Sequence, residues 1–426
     1  MAHPSFLPSL LTLFLLLLIS STQPHSATSD SFSPSSPFIS AVRSTIDEVQ
    51  KVLSILSTVA GTGPFGDSRI STAVNDCVDL LDFSSDELSW TISSTPAATT
   101  TGDHHSDLKS WLSAALGNQD TCLDGFDGTD GLVKSLVAEG LQTVTSLVGQ
   151  ALQISGQFAY GGRKLLSTTV GGFPEWVSAG DRRLLQETPS GVQADAVVAA
   201  DGSGTYKTVT EAVEAAPVES TKRYVIYVKR GVYKENIDIK KKKWNLMLIG
   251  DGMDATIITG DRSFVDGWTT FRSATFAVSG SGFLARDLTI ENSAGPEKHQ
   301  AVALRSDSDL SAFYRCSIRG YQDTLYAHSL RQFYRECRIS GTSYLGPVIR
   351  PEGWLAWQGD FALSTLYYGE YSNSGPGAGV GARVKWPGFH VITDPKEASN
   401  FTVGQFIDGN LWLPSTGVAY TAGLSL

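Results

Sequence analysis

The stretch "FYRCSIRGYQDTLYAHSLRQFYRECRISG", residues 313–341, repeats itself. Its opening "FYRCSI" returns as "FYRECRI" from Phe333, so Cys316 and Cys337, like Ile318 and Ile339, stand 21 residues apart. A period near twenty among short β-like runs with Gly and Asp turns is that of a solenoid whose coils stack on one another. A β-sandwich gives no reason for such a coil repeat, so a parallel β-helix is the better reading. Equivalent residues of adjacent coils would lie about 4.8 Å apart. A disulfide tolerates that Cα separation, so a Cys316–Cys337 bridge is expected.

The β texture extends over residues 194–426, through "RYVIYVKRGVY", "WNLMLIGDG" and "FLARDLTIENS". Upstream, residues 38–158 change period. "AVRSTIDEVQKVLSILSTV" spaces Val42, Ile46, Val49, Val52, Leu53 and Leu56 three or four apart, and three further segments repeat that character. Four amphipathic helices with short connections predict an all-α antiparallel four-helix bundle. Cys77 and Cys122 fall on two different helices of it, where a bridge would staple the pair; two buried free thiols are the alternative.

Between the two parts, residues 159–193 are rich in Gly and Ser and carry two basic doublets, "GGRKLL" and "DRRLLQ". Exposed pairs of this kind in a flexible segment are natural sites of proteolytic nicking, so this is expected to be a processed linker. At the N-terminus the apolar run from Leu10 to Ile19, broken only by Thr12, is too short to span a bilayer and suits the core of a signal peptide over residues 1–26. Secretion is expected, with an uncleaved anchor as the alternative, and with secretion a compartment where cysteines pair. The sequon Asn400-Phe401-Thr402 is compatible with a secreted glycoprotein.

Charge narrows the partners. The net charge is −10, which disfavours nucleic acid. The imbalance is confined to one half: residues 1–186 carry 9 Lys and Arg against 18 Asp and Glu, the remainder 24 against 25. The tract "TGDHHSD" around His104 and His105 lacks Cys and reads as a loop rather than a metal site. "KKKKW" at 240–244 reads as a solvated approach to a strand, with contact to a polyanion as the alternative.

Four motifs in order make a resemblance specific: "GVYKENI" at 231–237, "HQAVALR" at 299–305, "GYQDTLY" at 320–326 and "GWLAWQGDFALSTLYYGEY" at 353–371. The chain resembles plant pectin methylesterases (pectinesterases), and its helical part resembles the inhibitor-like pro-region these carry. The resemblance implies a right-handed parallel β-helix, secreted to the plant cell wall. It implies hydrolysis of methyl esters of pectin (homogalacturonan) to pectate and methanol, with no cofactor and no metal. It also implies intramolecular contact between pro-region and β-helix.

By position, the resemblance makes Asp323 the general acid, and Gln300 and Gln322 the donors that steady the developing oxyanion. Thr270, Gln300, Tyr326 and Trp354 become substrate contacts. Each residue also has a plain structural reading: a turn Asp caps backbone amides, glutamines form ladders, and Trp354 packs in a core.

Carboxylate hydrolysis needs a second carboxylate. Asp323 lies 7 residues after Cys316, and the stacked position, 7 after Cys337, is Tyr344. The family's D-F-I-F-G-N-A segment with its nucleophilic Asp, and its L-G-R-P-W motif with the clamp Arg, are both missing. The chain runs from "RISGT" directly into "SYLG" and "VIRPEGW". The β-helix is therefore expected to be shortened by several coils near 342–350, and activity to be strongly impaired. The alternatives are a non-catalytic inhibitor or pectin-binding protein, or the product of alternative splicing or of an incomplete gene model.

Overall fold

The computed structural model describes residues 36–61, 68–93, 104–129, 131–155, 169–170, 173–174, 193–339, 350–354, 356, 360, 363–373, 377–416 and 420–424. The signal-peptide reading of residues 1–26, most of the linker and position 344 lie outside them, as do the side chains of His104 and His105.

Four helices form the first part: α1 (Ser36–Gly61), α2 (Ser68–Ile92), α3 (His104–Asp124) and α4 (Leu132–Ser155). In α1 the buried stripe is Phe38, Val42, Thr45, Val49, Val52 and Leu56, spaced four and three apart as a 3.6-residue period demands. Ile46 and Leu53, expected on that face, flank it half-buried. In α4 the stripe is Val133, Val137, Leu141, Val144, Val148 and Ala151. α1 packs against α2 and α4, and α3 closes the ring between the same two helices. At Gly140 the approach of α4 to α1 leaves no room for a side chain: an added Cβ would lie 2.9 Å from Val52 Cγ2. The expected Cys77–Cys122 bridge is present and joins α2 to α3.

Residues 193–339 wind into a parallel β-helix of three sheets. The first runs Ala196–Val198, Tyr224–Val228, Leu246–Ile249, Leu284–Arg286, Ser311–Tyr314, Gln332–Arg335. The second runs from Gly231–Lys234 through Thr256–Gly260, Thr289–Asn292 and Ser317–Arg319 to Arg338–Ile339. The third comprises Ile237–Ile239, Phe276–Val278, Leu304–Ser306 and Leu325–Ala327. Register stacks like on like. Ile258, Ile290, Ile318 and Ile339 align across the second sheet. Phe276, Phe283, Phe313 and Tyr334 form a ring column inside, with successive centroids 5.7, 5.7 and 4.9 Å apart.

Corners repeat as well. Asp287, Arg315 and Glu336 each take a left-handed conformation at the turn between the first and second sheets, with φ of 58°, 47° and 52°. The period does not stay constant, however. Met247, Leu284, Ala312 and Phe333 are successive register partners, so the 21-residue coil of the sequence repeat is only the last one, and earlier coils carry longer loops.

Val209–Ala215 covers the first coil, its N-terminus fixed by a Thr208–Glu211 capping box, while the carboxylate of Glu235 accepts from the amides of Val209 and Thr210. At the outer face of the first sheet, Trp412 and Leu413 of Gly409–Thr416 cover Val225, Met247, Ile249 and Leu284.

One expectation fails. Cys316 and Cys337 are free thiols. Their strands are in parallel register, with Ser317 opposite Arg338 and Ile318 opposite Ile339. Side chains on such neighbours project side by side, keeping Cβ atoms near the ~4.8 Å strand spacing, whereas a bridge needs about 3.8 Å. The Cα criterion alone was too permissive. The two thiols stay within hydrogen-bonding reach of one another, and that of Cys337 also lies 3.4 Å from the carbonyls of Phe313 and Arg335.

Bundle and β-helix pack against one another within the compact unit of residues 36–426. Ion pairs at their contact explain this. Asp107 of α3 meets Arg331 at 2.6 Å, and Arg331 also holds Asp309 at 2.6 Å. Trp111 Nε1 donates to Asp309 at 3.3 Å. Asp76 and Asp79 of α2 pair with Arg272, and Asp82 and Asp86 with Lys241.

Candidate active site

The site begins where the third sheet is entered. Gln300 and Gln322 face one another across adjacent coils as a parallel bridge, fixed by the amide of Ala301 donating to the Gln322 carbonyl at 3.1 Å. The next residue, Asp323, sits at φ 58°. An Asp accepts this left-handed corner more readily than most residues, and it turns the chain so that buried Thr324 and Leu325 rejoin the sheet. Pairing of Leu304 with Leu325 and Arg305 with Tyr326 then sets Tyr326 beside the corner.

From the preceding coil, the 3-10 turn Phe271–Ser273 follows Thr269 and Thr270. Arg305, almost fully buried, donates to the Phe271 carbonyl at 2.9 Å and lies 3.5 Å over the Phe271 ring, which fixes that turn.

These residues enclose a cavity of about 340 Å³, lined by Thr269, Thr270, Phe271, Gln300, Asp323 and Tyr326 among others. The sequence did not foresee its other wall. Thr121, Asp124, Gly125 and Asp127, from the end of α3 and the turn beyond it, line the same cavity. The Thr121 hydroxyl lies 3.2 Å from the Tyr326 hydroxyl and 2.9 Å from His328 Nε2. No period or motif marks those residues; only the Cys77–Cys122 bridge, one position from Thr121, hints that this end of α3 is held in place.

Crowding by protein sets the electrostatics. Asp323 is open to the cavity, yet the surrounding atoms displace enough water to raise its carboxyl above the usual range. Desolvation, helped by Asp127 and Asp120, lifts Asp124 to about 6. It pushes the Tyr326 phenol up to about 12 and the His328 imidazole down to about 4, so that ring is neutral at pH 7. The arrangement offers a poised carboxylic acid, amide donors and an aromatic wall. Among the described residues, the other carboxylates lining the cavity are Asp124 and Asp127, both from the bundle.

Of the residues singled out by sequence, Thr270, Gln300, Asp323 and Tyr326 come together here, and Gln322 stacks on Gln300 at the rim. Trp354 does not join them. Its indole donates to Glu370 at 3.0 Å, Glu370 is paired with Arg383 at 2.7 Å, and its ring packs on Tyr368 with centroids 4.4 Å apart. In the structure Trp354 is tied to the C-terminal segment, with Glu370 accepting from its N–H and Tyr368 covering one ring face. Among the described residues, no group of three or more His, Cys, Asp and Glu side chains is placed to hold a metal ion.

Fold and site define a parallel β-helix protein whose lateral cleft is covered by a helical bundle. The family model described as pectinesterase matches residues 195–344 and 342–410, and that of the plant invertase/pectin methylesterase inhibitor matches 18–154. The chain belongs to the pectinesterase family and carries an inhibitor-type domain at its N-terminal side. It is 52% identical to "Pectinesterase/pectinesterase inhibitor PPE8B" of Prunus persica, over 90% of this chain and 89% of that one. With "Probable pectinesterase/pectinesterase inhibitor 32" of Arabidopsis thaliana the identity is 48%, over 92% of each. Among solved structures it is similar to "Pectin methylesterase from Carrot", with TM-score 0.50 and 43% identity, over 55% of this chain and 99% of that one.

The match to the Prunus persica protein extends over 473 aligned positions. Ninety per cent of 426 residues can fill only about 383 of them, so about 90 positions of the relative face no residue here.

Proposed function

We propose that the chain is a secreted pectinesterase proprotein of the plant cell wall, whose cleft takes methyl-esterified pectin and whose bundle, while docked, covers that cleft. As written it lacks the attacking carboxylate. The observation that carries this reading is the cavity itself: Asp323, Gln300, Thr270 and Tyr326 converge on one side, and Thr121, Asp124 and Asp127 close the other. Asp323, raised by desolvation, suits a proton donor to departing methanol, and the carboxamides suit an oxyanion.

Two findings support loss of the coils that would hold the nucleophile. The family match breaks into two segments meeting at 342–344, and about 90 aligned positions have no residue in this chain. Losing a covalent nucleophile removes most of the rate enhancement. A phenol at position 344, with a pKa near 10, stays protonated at neutral pH and cannot substitute for it.

Methanol release from methylated pectin by the purified chain tests this. Release is expected at background, with Asp323→Ala making no difference. Release well above background that disappears in Asp323→Ala would overturn it.

A further inference from the structure

The run "KKKKW" is resolved unevenly by the fold. Lys240 pairs with Asp238 at 2.5 Å, Lys242 with Glu219 at 3.4 Å, and Lys243 donates to the carbonyls of Glu214 and Ala216. All of those partners belong to the β-helix. Lys241 differs: the carboxylates paired with it among the described residues are Asp82 and Asp86 of α2, both at 2.6 Å.

Arg272 shows the same asymmetry. It meets Asp76 at 2.5 Å and also binds Asp79, whereas the β-helix's own Asp238 stands at 3.9 Å. Arg272 directly follows Thr270 and Phe271 of the cavity lining.

Asp76, Asp79, Asp82 and Asp86 are spaced three, three and four residues apart, the spacing that keeps side chains on one helix face. At 1.5 Å per residue they form an acidic ladder about 15 Å long, one half seated on Arg272 and the other on Lys241. One small anion cannot span both cations. A polymer bearing a carboxylate on every unit can.

We propose that α2 imitates an ionised polyuronate, and that Lys241 and Arg272 are binding residues for de-esterified stretches of the polymer outside the ester-binding cleft. This rests on the reading of the substrate as pectin and deepens it. Neutral, esterified units occupy the cleft, while charged units on the same chain hold it in place beside the cleft. Undocking the bundle then uncovers cleft and anion sites together.

The experiment uses the full chain with Asp76→Asn, Asp79→Asn, Asp82→Asn and Asp86→Asn combined, and with only Asp82→Asn and Asp86→Asn, at two half-exposed positions. Binding of polygalacturonate oligomers of about ten units, of monomeric galacturonate and of fully methylated oligomer is followed by calorimetry at low and high salt. Polygalacturonate is expected to bind the fourfold variant at least tenfold tighter than the wild type, and the twofold variant to an intermediate degree. Salt should weaken this binding, as it weakens exposed ionic contacts generally, and the monomer should not bind measurably.

Adding Lys241→Gln and Arg272→Gln to either variant should cancel the gain. The inference is overturned if the ladder variants gain nothing, or if Lys241→Gln and Arg272→Gln leave the gain intact. If methylated oligomer binds while polygalacturonate does not, this inference alone falls. If neither binds, the substrate reading falls with it.

Discussion

Replacing Arg331 by Met probes one of the contacts on which bundle docking rests. Arg331 is 4% exposed, and the two carboxylates it holds, Asp107 of α3 and Asp309 of the β-helix, are fully buried. Both pairs measure 2.6 Å, and Asp309 also accepts from Arg331 Nε at 2.9 Å and Trp111 Nε1 at 3.3 Å. Methionine fills much of the volume but leaves two buried anions without their guanidinium. Breaking a buried pair in this way costs about 3–5 kcal/mol.

Asp107→Asn should cost less, about 1–3 kcal/mol, since Arg331 keeps Asp309 and the amide retains an acceptor. In the double variant one of the uncompensated charges is gone, so the losses should fall short of additivity by about 1.5 kcal/mol or more. Urea unfolding at pH 7, followed by tryptophan fluorescence, gives the free energies. Hydrogen exchange at 324–328, under Thr121, reports docking. A cost below about 1 kcal/mol for Arg331→Met, or strict additivity of the pair, would refute a docking network that acts as one unit.

The His328 ring is held neutral, its pKa lowered to about 4. The unfolded state therefore binds the extra proton first, and stability should fall as pH drops from about 6.5 through 4. The loss has an upper bound on the order of 3 kcal/mol, and His328→Gln should remove that part of the slope in pH-dependent unfolding. Asp124 is shifted the other way, to about 6. Burial disfavours its charged form in the folded chain, so Asp124→Asn should stabilise the intact chain at pH 7 and have little effect well below pH 4, where the carboxyl is protonated in both states; unfolding midpoints at the two pH values check this. Removing the Cys77–Cys122 bridge, which closes a separation of 45 residues, should destabilise the bundle by about 4 kcal/mol on the chain-entropy account, measured with Cys77→Ala/Cys122→Ala. Phe313→Ala empties the centre of the ring column and should cost about 3–5 kcal/mol in the same assay.

Much of the fold was legible because its signals are periodic. The three-and-four spacing of α1 and the 21-residue return of "FYR…C" each report a stripe that must be buried, and burial is what the structure shows at Val42, Val49, Ile318 and Phe313. The repeat misled once: it brought Cys316 and Cys337 together but said nothing of Cβ direction, and in-register parallel strands keep the thiols side by side. Half of the candidate site was legible through "GYQDTLY" and "HQAVALR", which place Gln322, Asp323, Tyr326 and Gln300. The other half was not. Thr121, Asp124 and Asp127 reach the cavity only because Asp107, Asp76 and Asp86 find cations on another part of the chain, and pairings across that sequence distance leave no local trace. The tie of Trp354 to Glu370, 16 residues away in a segment without periodicity, likewise left no local trace.

The claim that the attacking carboxylate is absent is tested most directly by methanol release from methylated pectin after linker cleavage has freed the cleft. Two proteins are compared: the chain itself, and the chain with the segment that the Prunus persica relative carries at the break in the family match, 342–344, inserted there. Release is expected from the restored protein, abolished by Asp323→Ala, and none above background from the equally cleaved chain without the insertion. Comparable, Asp323-dependent release by both would contradict it.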